Sequence, residues 1–400
     1  MKKSPFRFKS VLPGAEVSPV DWQDWRWQMR QSLKNQPQFS KQLDLSAEEI
    51  DGFSGLDQIF RVQTTPYYAA LIDKENPNCP IRQMILPNKK ELIPGFQQMS
   101  DPLGENKKQN RPCERLIHRY TDRALFLVTD MCGVYCRYCT RKHFTASDQV
   151  AATTQQVDEV VGYLKSHPEI KEVIFSGGDP LTLNNKKLES FLERIHSVET
   201  VELIRIGSRM PVACPMRIDQ ELLLLFQKYK PVYLMTHFNH PDELTLPAAE
   251  ALENCVDHGI PVMNQLVLLN GVNNSAALIY ALNRRLLYLR VKPYYMFQAD
   301  PSLGTDHLRT SIEDSLAIQR QLWGRASGLS MPTYIVDIPD GGGKAALSPS
   351  FQVSQQGSQR HFVGWDGVRA SYVSPGPEAR REPLVDELYK TEWLQLNKES

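Results

Sequence analysis

Three cysteines fall within the stretch Asp130-Met131-Cys132-Gly133-Val134-Tyr135-Cys136-Arg137-Tyr138-Cys139, separated by three and then two residues. Such spacing lets one loop wrap its thiols around a single inorganic centre. Iron–sulfur clusters are usually held by four thiolates, so a set of three leaves one iron without a protein ligand and open to a small molecule. A catalytic zinc keeps one position free in the same way. Two other readings use the same residues: a zinc site completed by His143, or buried cysteines with no shared task. The spacing favours the cluster with an open corner.

Two further segments carry groups suited to ligand binding. Phe175-Ser176-Gly177-Gly178-Asp179-Pro180 joins a hydroxyl and a carboxylate to two glycines, whose missing Cβ atoms let backbone close on a ligand. The same letters also spell an ordinary turn. In Ile335-Val336-Asp337-Ile338-Pro339-Asp340-Gly341-Gly342-Gly343-Lys344, a lysine stands directly behind three glycines. A flexible run lets that amine bond a carbonyl compound and withdraw when another amine displaces it. The plainer alternative is a glycine-rich loop with a solvent-facing lysine. A phosphate-cradling P-loop is excluded, because the Gly-x4-Gly-Lys-Ser/Thr spacing is absent and Ala345 follows the lysine.

These segments need a frame. Short β-branched runs alternate with amphipathic stretches from about residue 113 onward, which predicts βα units and a parallel sheet. Strands are predicted at 125–129, 173–176, 201–207, 232–236, 262–269 and 293–297, with 333–337 as a candidate seventh. Helices are predicted at 187–197, 220–230, 248–258, 276–289 and 312–323. An open doubly wound sheet and a barrel both fit that order. Residues 1–112 are polar, proline-punctuated and partly helical, an extension in which Trp22, Trp25 and Trp27 are packing anchors. Residues 346–400 form a tail with a helical pattern at 384–396. The 400 residues carry 46 basic and 46 acidic side chains, so nothing in the totals points to nucleic acid or to an anionic membrane surface. No stretch approaches the roughly 18 apolar residues of a membrane span, and the amino terminus lacks the apolar run of a leader. A cytoplasmic protein acting on a small molecule is expected, in a compartment that keeps its seven cysteines reduced.

Cys-x3-Cys-x2-Cys after a first strand resembles the signature of the radical S-adenosylmethionine superfamily. That resemblance implies a 4Fe-4S cluster on Cys132, Cys136 and Cys139, with S-adenosyl-L-methionine on the open iron and its amino group received by Ser176, Gly177, Gly178 and Asp179. It also implies an α/β fold, a partial (β/α)6, TIM-like barrel over residues 113–345. The order of motifs is similar to the lysine 2,3-aminomutase family from Asp21-Trp22 to about Leu347, including Asp24-Trp25-Arg26-Trp27-Gln28, Thr65-Pro66-Tyr67-Tyr68, His118-Arg119-Tyr120, Thr236-His237-Phe238-Asn239-His240-Pro241 and Lys292-Pro293-Tyr294-Tyr295.

The family resemblance implies that Lys344 carries pyridoxal 5′-phosphate, that Arg119 and Arg123 hold the cofactor phosphate, and that Arg141 pairs with the substrate carboxylate. It makes Asp300 and Asp337 the holders of a distal ammonium. His237 and Gln265 match positions near the cofactors, with a buried structural role equally open to each. The implied reaction moves the amino group of L-lysine from C2 to C3 to give L-β-lysine. Arginine, ornithine or β-lysine would satisfy the two acids almost as well. A radical enzyme without pyridoxal phosphate, or a non-enzymatic iron–sulfur redox module, would share the cysteines. The implied partners are an amino acid and an external one-electron reductant such as flavodoxin or ferredoxin. Well-known members bind structural zinc through cysteines near the carboxyl terminus. None follows Cys255 here, so zinc is not expected and the family's homo-oligomer lacks that staple. Asp340 stands where many relatives have glycine and is expected to place a negative charge beside Lys344. Cys79, Cys113, Cys214 and Cys255 fit no ligand pattern and are taken as small buried residues.

Overall fold

A computed structural model describes residues 4–14, 16–55 and 59–396. Its centre is a nine-stranded sheet in simple sequential order: β1 (Leu116–Tyr120), β2 (Arg123–Thr129), β3 (Glu172–Gly177), β4 (Leu203–Gly207), β5 (Val232–Thr236), β6 (Val262–Leu268), β7 (Lys292–Gln298), β8 (Thr333–Ile338) and β9 (Gly343–Leu347). Strands β2 to β8 run parallel, whereas β1 and β9 pair antiparallel at the two edges. The candidate seventh strand is therefore real, and two flanking strands went unread. The sheet curls until its ends meet: a Cβ on Gly343 of β9 would lie 3.6 Å from the Tyr120 hydroxyl of β1. The result is an α/β barrel, nearly closed, of the predicted TIM-like kind.

Crossover helices α1 (Thr154–Ser166), α2 (Asn185–His196), α3 (Gln220–Lys228), α4 (Leu246–Asp257), α5 (Ala276–Tyr288) and α6 (Ile312–Leu322) cover the outside. Five were predicted within a few residues of these bounds. The missed one, α1, opens with a capping box between Thr153 and Gln156 and buries Val157, Val160, Val161 and Leu164 at steps of three and four. Side chains on each strand alternate between two environments. On β6, Val262, Asn264, Leu266 and Leu268 are buried, whereas Met263, Gln265 and Val267 are half-buried. Gln265 and Val267, like Glu172, Ile174 and Ser176 of β3 and Arg205 of β4, line an internal cavity. The barrel is thus a container with a polar lining, rather than the packed interior of a closed eight-stranded barrel.

The amino-terminal region is helical in short pieces, among them Trp25–Arg30, capped by Asp24. It is more than an extension, because Trp25, Phe39, Tyr68 and Met84 belong to the same hydrophobic core as the strands and helices of the barrel. Trp22 and Trp25 are buried anchors as expected, and Trp27 packs on Trp22 at 6.4 Å between ring centres. Beyond β9 the expected tail contains an antiparallel sheet, β10 (Gln352–Gln356), β11 (Gln359–Val363) and β12 (Arg369–Val373), before the helix Glu387–Leu396. Among the described residues no helix is long and apolar enough to cross a membrane.

Candidate active site

One cavity of about 520 Å³ opens inside the barrel, and every residue that the family resemblance assigns to the cluster, the cofactors or the substrate lines it. Cys132, Cys136, Cys139 and Arg141 come from the loop after β2, and Ser176, Gly177, Gly178 and Asp179 from the end of β3. Arg119 and Arg123 stand on β1 and β2, His237 follows β5, Gln265 is on β6, Asp300 follows β7, Asp337 is on β8 and Lys344 on β9.

The cysteine loop is shaped by groups outside it. Asp130 accepts hydrogen bonds from Ser147 Oγ and from the amides of Asp148 and Gln149, each at 2.8 Å, which cinches the far side of the loop. Gln63 donates to the Cys132 carbonyl at 2.7 Å. Arg137 reaches back to Glu91 through Nε at 2.8 Å and Nη2 at 2.5 Å, a buried bidentate pair. The amino-terminal region therefore braces the thiols. Burial first, and then the charges of Asp179 and the neighbouring thiols, push the Cys132 thiol well up, so incoming metal must displace protons there. Among the described residues no three His, Cys, Asp or Glu side chains converge on one metal ion. His143 is turned to the Ser100 carbonyl at 3.1 Å, which removes the zinc reading built on it. A cubane distributes its cysteine ligands over separate irons, so three thiols on one cavity wall suit a cluster where they do not suit a single ion.

At the end of β3 the two glycines are required. Gly177 has φ +114°, and a Cβ on Gly178 would overlap the Met131 carbonyl. The Asp179 carboxylate is committed within the chain, accepting from Ser208 Oγ at 2.7 Å and from the amides of Arg209 at 2.7 Å and Leu181 at 3.0 Å. It ties the ends of β3 and β4 together and presents backbone, more than a free acid, to the cavity. His237 Nε2 lies 2.9 Å from the Tyr138 hydroxyl. Burial, followed by the charge of Arg209, lowers its pKa to about 3, so the ring is neutral.

Across the cavity the charges are paired with one another. Lys344 does not sit on a loose loop: it is on β9, opposite Asp337 in the ladder, with Nζ 3.1 Å from Asp337 Oδ1. Arg141 gives Nε and Nη2 to Glu105 at 2.8 and 2.7 Å, and Nη1 to Ser176 Oγ at 2.9 Å. Glu105, only 5% exposed at its side chain, was not foreseen, and no motif marks it. Burial and then the charge of Asp337 raise Asp300 to about 7. Arg119 lines the cavity with Nε and Nη2 buried and unpartnered, two donors suited to an oxyanion such as a phosphate. Arg123 is partly engaged, bonding Asp122 at 2.7 Å and lying 4.0 Å over the Tyr120 ring.

Asp340 departs from expectation. It lies in a turn with φ +61°, exposed, where its amide bonds the Pro102 carbonyl and its own carbonyl accepts from Lys107 Nζ at 2.7 Å. Its carboxylate faces Lys107 at 3.7 Å rather than Lys344, so the turn serves to dock the segment that carries Glu105. Of the four remaining cysteines, Cys79, Cys214 and Cys255 are buried as expected, whereas Cys113 is only half-buried.

Comparison with known proteins places the chain in a family. A family model described as the radical SAM superfamily matches residues 126–279, and one described as lysine-2,3-aminomutase matches residues 319–399. The L-lysine 2,3-aminomutase of Fusobacterium nucleatum is 40% identical over 371 residues, covering 93% of this chain and 87% of that protein. That of Acetoanaerobium sticklandii is 41% identical over 361 residues, covering 90% and 87%. The glutamate 2,3-aminomutase of Clostridioides difficile is 37% identical over 367 residues, covering 92% and 86%.

Proposed function

The chain belongs to the lysine 2,3-aminomutase family of the radical SAM superfamily and is an isomerase of that class, and from that premise we propose that it moves the amino group of L-lysine from C2 to C3, giving L-β-lysine with the help of pyridoxal 5′-phosphate. Membership brings the 4Fe-4S cluster and S-adenosylmethionine with it. When bound, these two supply a carbon-centred acceptor for one substrate hydrogen, and pyridoxal phosphate supplies an electron sink for the migrating nitrogen.

In this reading Cys132, Cys136 and Cys139 would hold the cluster and leave one iron free for S-adenosylmethionine, and the strand end at Ser176–Asp179 would receive its amino group. Arg119 and Arg123 would hold the cofactor phosphate, and Lys344, paired with Asp337 here, would hold the cofactor through its amine. Arg141 turns from Glu105 to the substrate carboxylate. Asp300 and Asp337 receive the distal ammonium, and neutral His237 with Gln265 lines the wall between the cofactors. The barrel walls keep water from the radical. An external one-electron donor of the flavodoxin or ferredoxin kind completes the partners, residues 113–345 form the barrel that would carry the cluster and cofactors with residues 1–112 bracing it, and a reducing cytoplasm is the compartment.

The observation that carries the choice of substrate is the surplus of acid at this end of the cavity. With Arg119 and Arg123, which share the Tyr120 ring with Lys344, committed to the cofactor phosphate, Glu105, Asp300 and Asp337 face Arg141 and Lys344, three carboxylates against two cations, a formal excess of −3 + 2 = −1 when all are ionised. Lysine carries two ammonium groups and one carboxylate and matches that excess; glutamate, with net charge of the other sign, would bring its distal carboxylate against Asp300 and Asp337. The glutamate-acting relative makes this discrimination the point to test. Anaerobically reconstituted enzyme given lysine, arginine and glutamate in turn should form the β-isomer of lysine fastest, read by chromatography. Borohydride should fix cofactor mass on Lys344. Preference for glutamate, or no adduct at that residue, would overturn the assignment.

A further inference from the structure

Arg209, just after β4, is a buried cation of the cavity wall tied through both terminal nitrogens, with its Nε buried and without a hydrogen-bond partner. Its Nη1 donates to Cys136 Sγ at 2.7 Å, and its Nη2 donates to Glu243 Oε1 and to the Tyr68 hydroxyl, each at 2.8 Å. Its guanidinium lies 5.2 Å from the Tyr68 ring centre and 5.6 Å from that of Tyr138, and its backbone amide is held by Asp179. Glu243 is fully buried, and its second oxygen accepts the amides of Asn239 at 2.5 Å and His240 at 2.9 Å. Neither member of the pair can swing away. Satisfying Glu243 would not need Nη1, yet that nitrogen is spent on a sulfur.

We propose that Arg209 is a positioning residue that sets the reduction potential of the cluster, raising it by standing against the Cys136 sulfur, with Glu243 limiting the rise from behind. This rests on the reading that Cys132, Cys136 and Cys139 hold the cluster. Reduction adds one electron from an external one-electron donor, breaks no bond and takes up no proton, so the cluster becomes more negative by one charge. A fixed cation in hydrogen-bond contact with a ligating sulfur stabilises that more negative state more than the oxidised one. A carboxylate behind the cation does the opposite and more weakly, since it bonds the nitrogen that does not touch the thiol. Hydrogen bonds to cluster sulfurs and local charge are established controls on such potentials.

The test is a potentiometric EPR titration of the anaerobically reconstituted full chain beside R209Q, R209K and E243Q, with iron content measured for each. R209Q should move the midpoint to more negative values by at least the roughly 59 mV that marks a tenfold change in a one-electron equilibrium. R209K, which keeps the charge without the fork, should fall between R209Q and the parent. E243Q should move the midpoint the other way. Opposite signs from the two sides of one ion pair are not what a loss of packing produces. Variants with full iron content and unmoved midpoints would overturn the inference, whereas a parent chain that takes up no cluster would overturn the reading of the cysteines instead. If R209Q fails to retain iron, E243Q decides alone by the direction of its shift.

Discussion

Around Cys136 the polar groups form a chain of buried bonds running through Arg209, Glu243, Asn239, Tyr138 and His237, with the Arg209 Nε buried and without a hydrogen-bond partner. Around Lys344 the groups are also paired, Lys344 with Asp337 and Arg141 with Glu105, and under the proposed function each pair holds a residue that a ligand would claim. The first region is tied to its own residues at nearly every polar atom. The second is held in order by internal partners that a ligand replaces, so ligand charges pay back a desolvation already met by the fold. Under the proposed function, preorganisation takes two forms in one cavity: fixed dipoles beside the cluster that would take the electron, and exchangeable ion pairs where the substrate would come and go.

The sharpest way to break this contrast is to remove the exchangeable amine. Lys344→Ala should lower β-lysine formation about a thousandfold or more, with the borohydride adduct lost and iron content unchanged. Retention of a tenth of the activity would mean that Lys344 is no more than the partner of Asp337. Next in size is the pH response of Asp300, raised to about 7 by burial and the charge of Asp337. Its charged form is the one a cationic substrate needs, so KM for lysine should fall as pH rises from about 6 to 8, and Asp300→Asn should weaken lysine binding and flatten the profile. For stability the sign is reversed. A carboxyl whose folded pKa is raised contributes stability below its unfolded value, and that contribution is lost as pH climbs towards 7. The ligand-free chain should therefore melt at lower temperature at pH 7 than at pH 5 by an amount that Asp300→Asn removes, as calorimetry would read.

Glu105→Gln should have a smaller effect. Direct competition for Arg141 outweighs the loss of one distant negative charge, so KM for lysine should fall about fivefold, the equivalent of roughly 1 kcal/mol for one charge-assisted contact. An unchanged or higher KM would show that Glu105 stays with Arg141 when substrate binds. The smallest effect is expected at Asp340, which holds a left-handed φ of +61° and only an exposed ion pair. Asp340→Gly should stabilise by about 0.5 kcal/mol, seen in thermal unfolding, with turnover unaltered.

The strands β2 to β8 were legible because each couples a β-branched face that packs on helices to a spacing that a barrel repeats. The cavity-lining residues were legible where a motif spaces them, as with the three cysteines, or where family likeness supplied the position, as with Asp300. What escaped reading has local causes. Leu116–Tyr120 is a short hairpin arm whose two-residue turn, Thr121-Asp122, carries no glycine signal. Gly343–Leu347 is rich in glycine and alanine, both poor strand formers, and is a strand only because β8 offers it a ladder. Helix α1 had its capping box and apolar steps on view. Glu105 and Arg209 had nothing comparable, since a lone charge acquires meaning only from the partner that folding brings to it.

The meeting of Tyr120 and Gly343 has one more consequence. Among the described residues no ladder joins the first strand to the last, so the wall of the container has a slit there, with Arg119 on one lip and Lys344 on the other. A molecule bonded to the amine and gripped by the guanidinium would act as a rivet across that slit. Loading would then slow amide exchange on both rim strands together, though some two hundred residues of chain separate them.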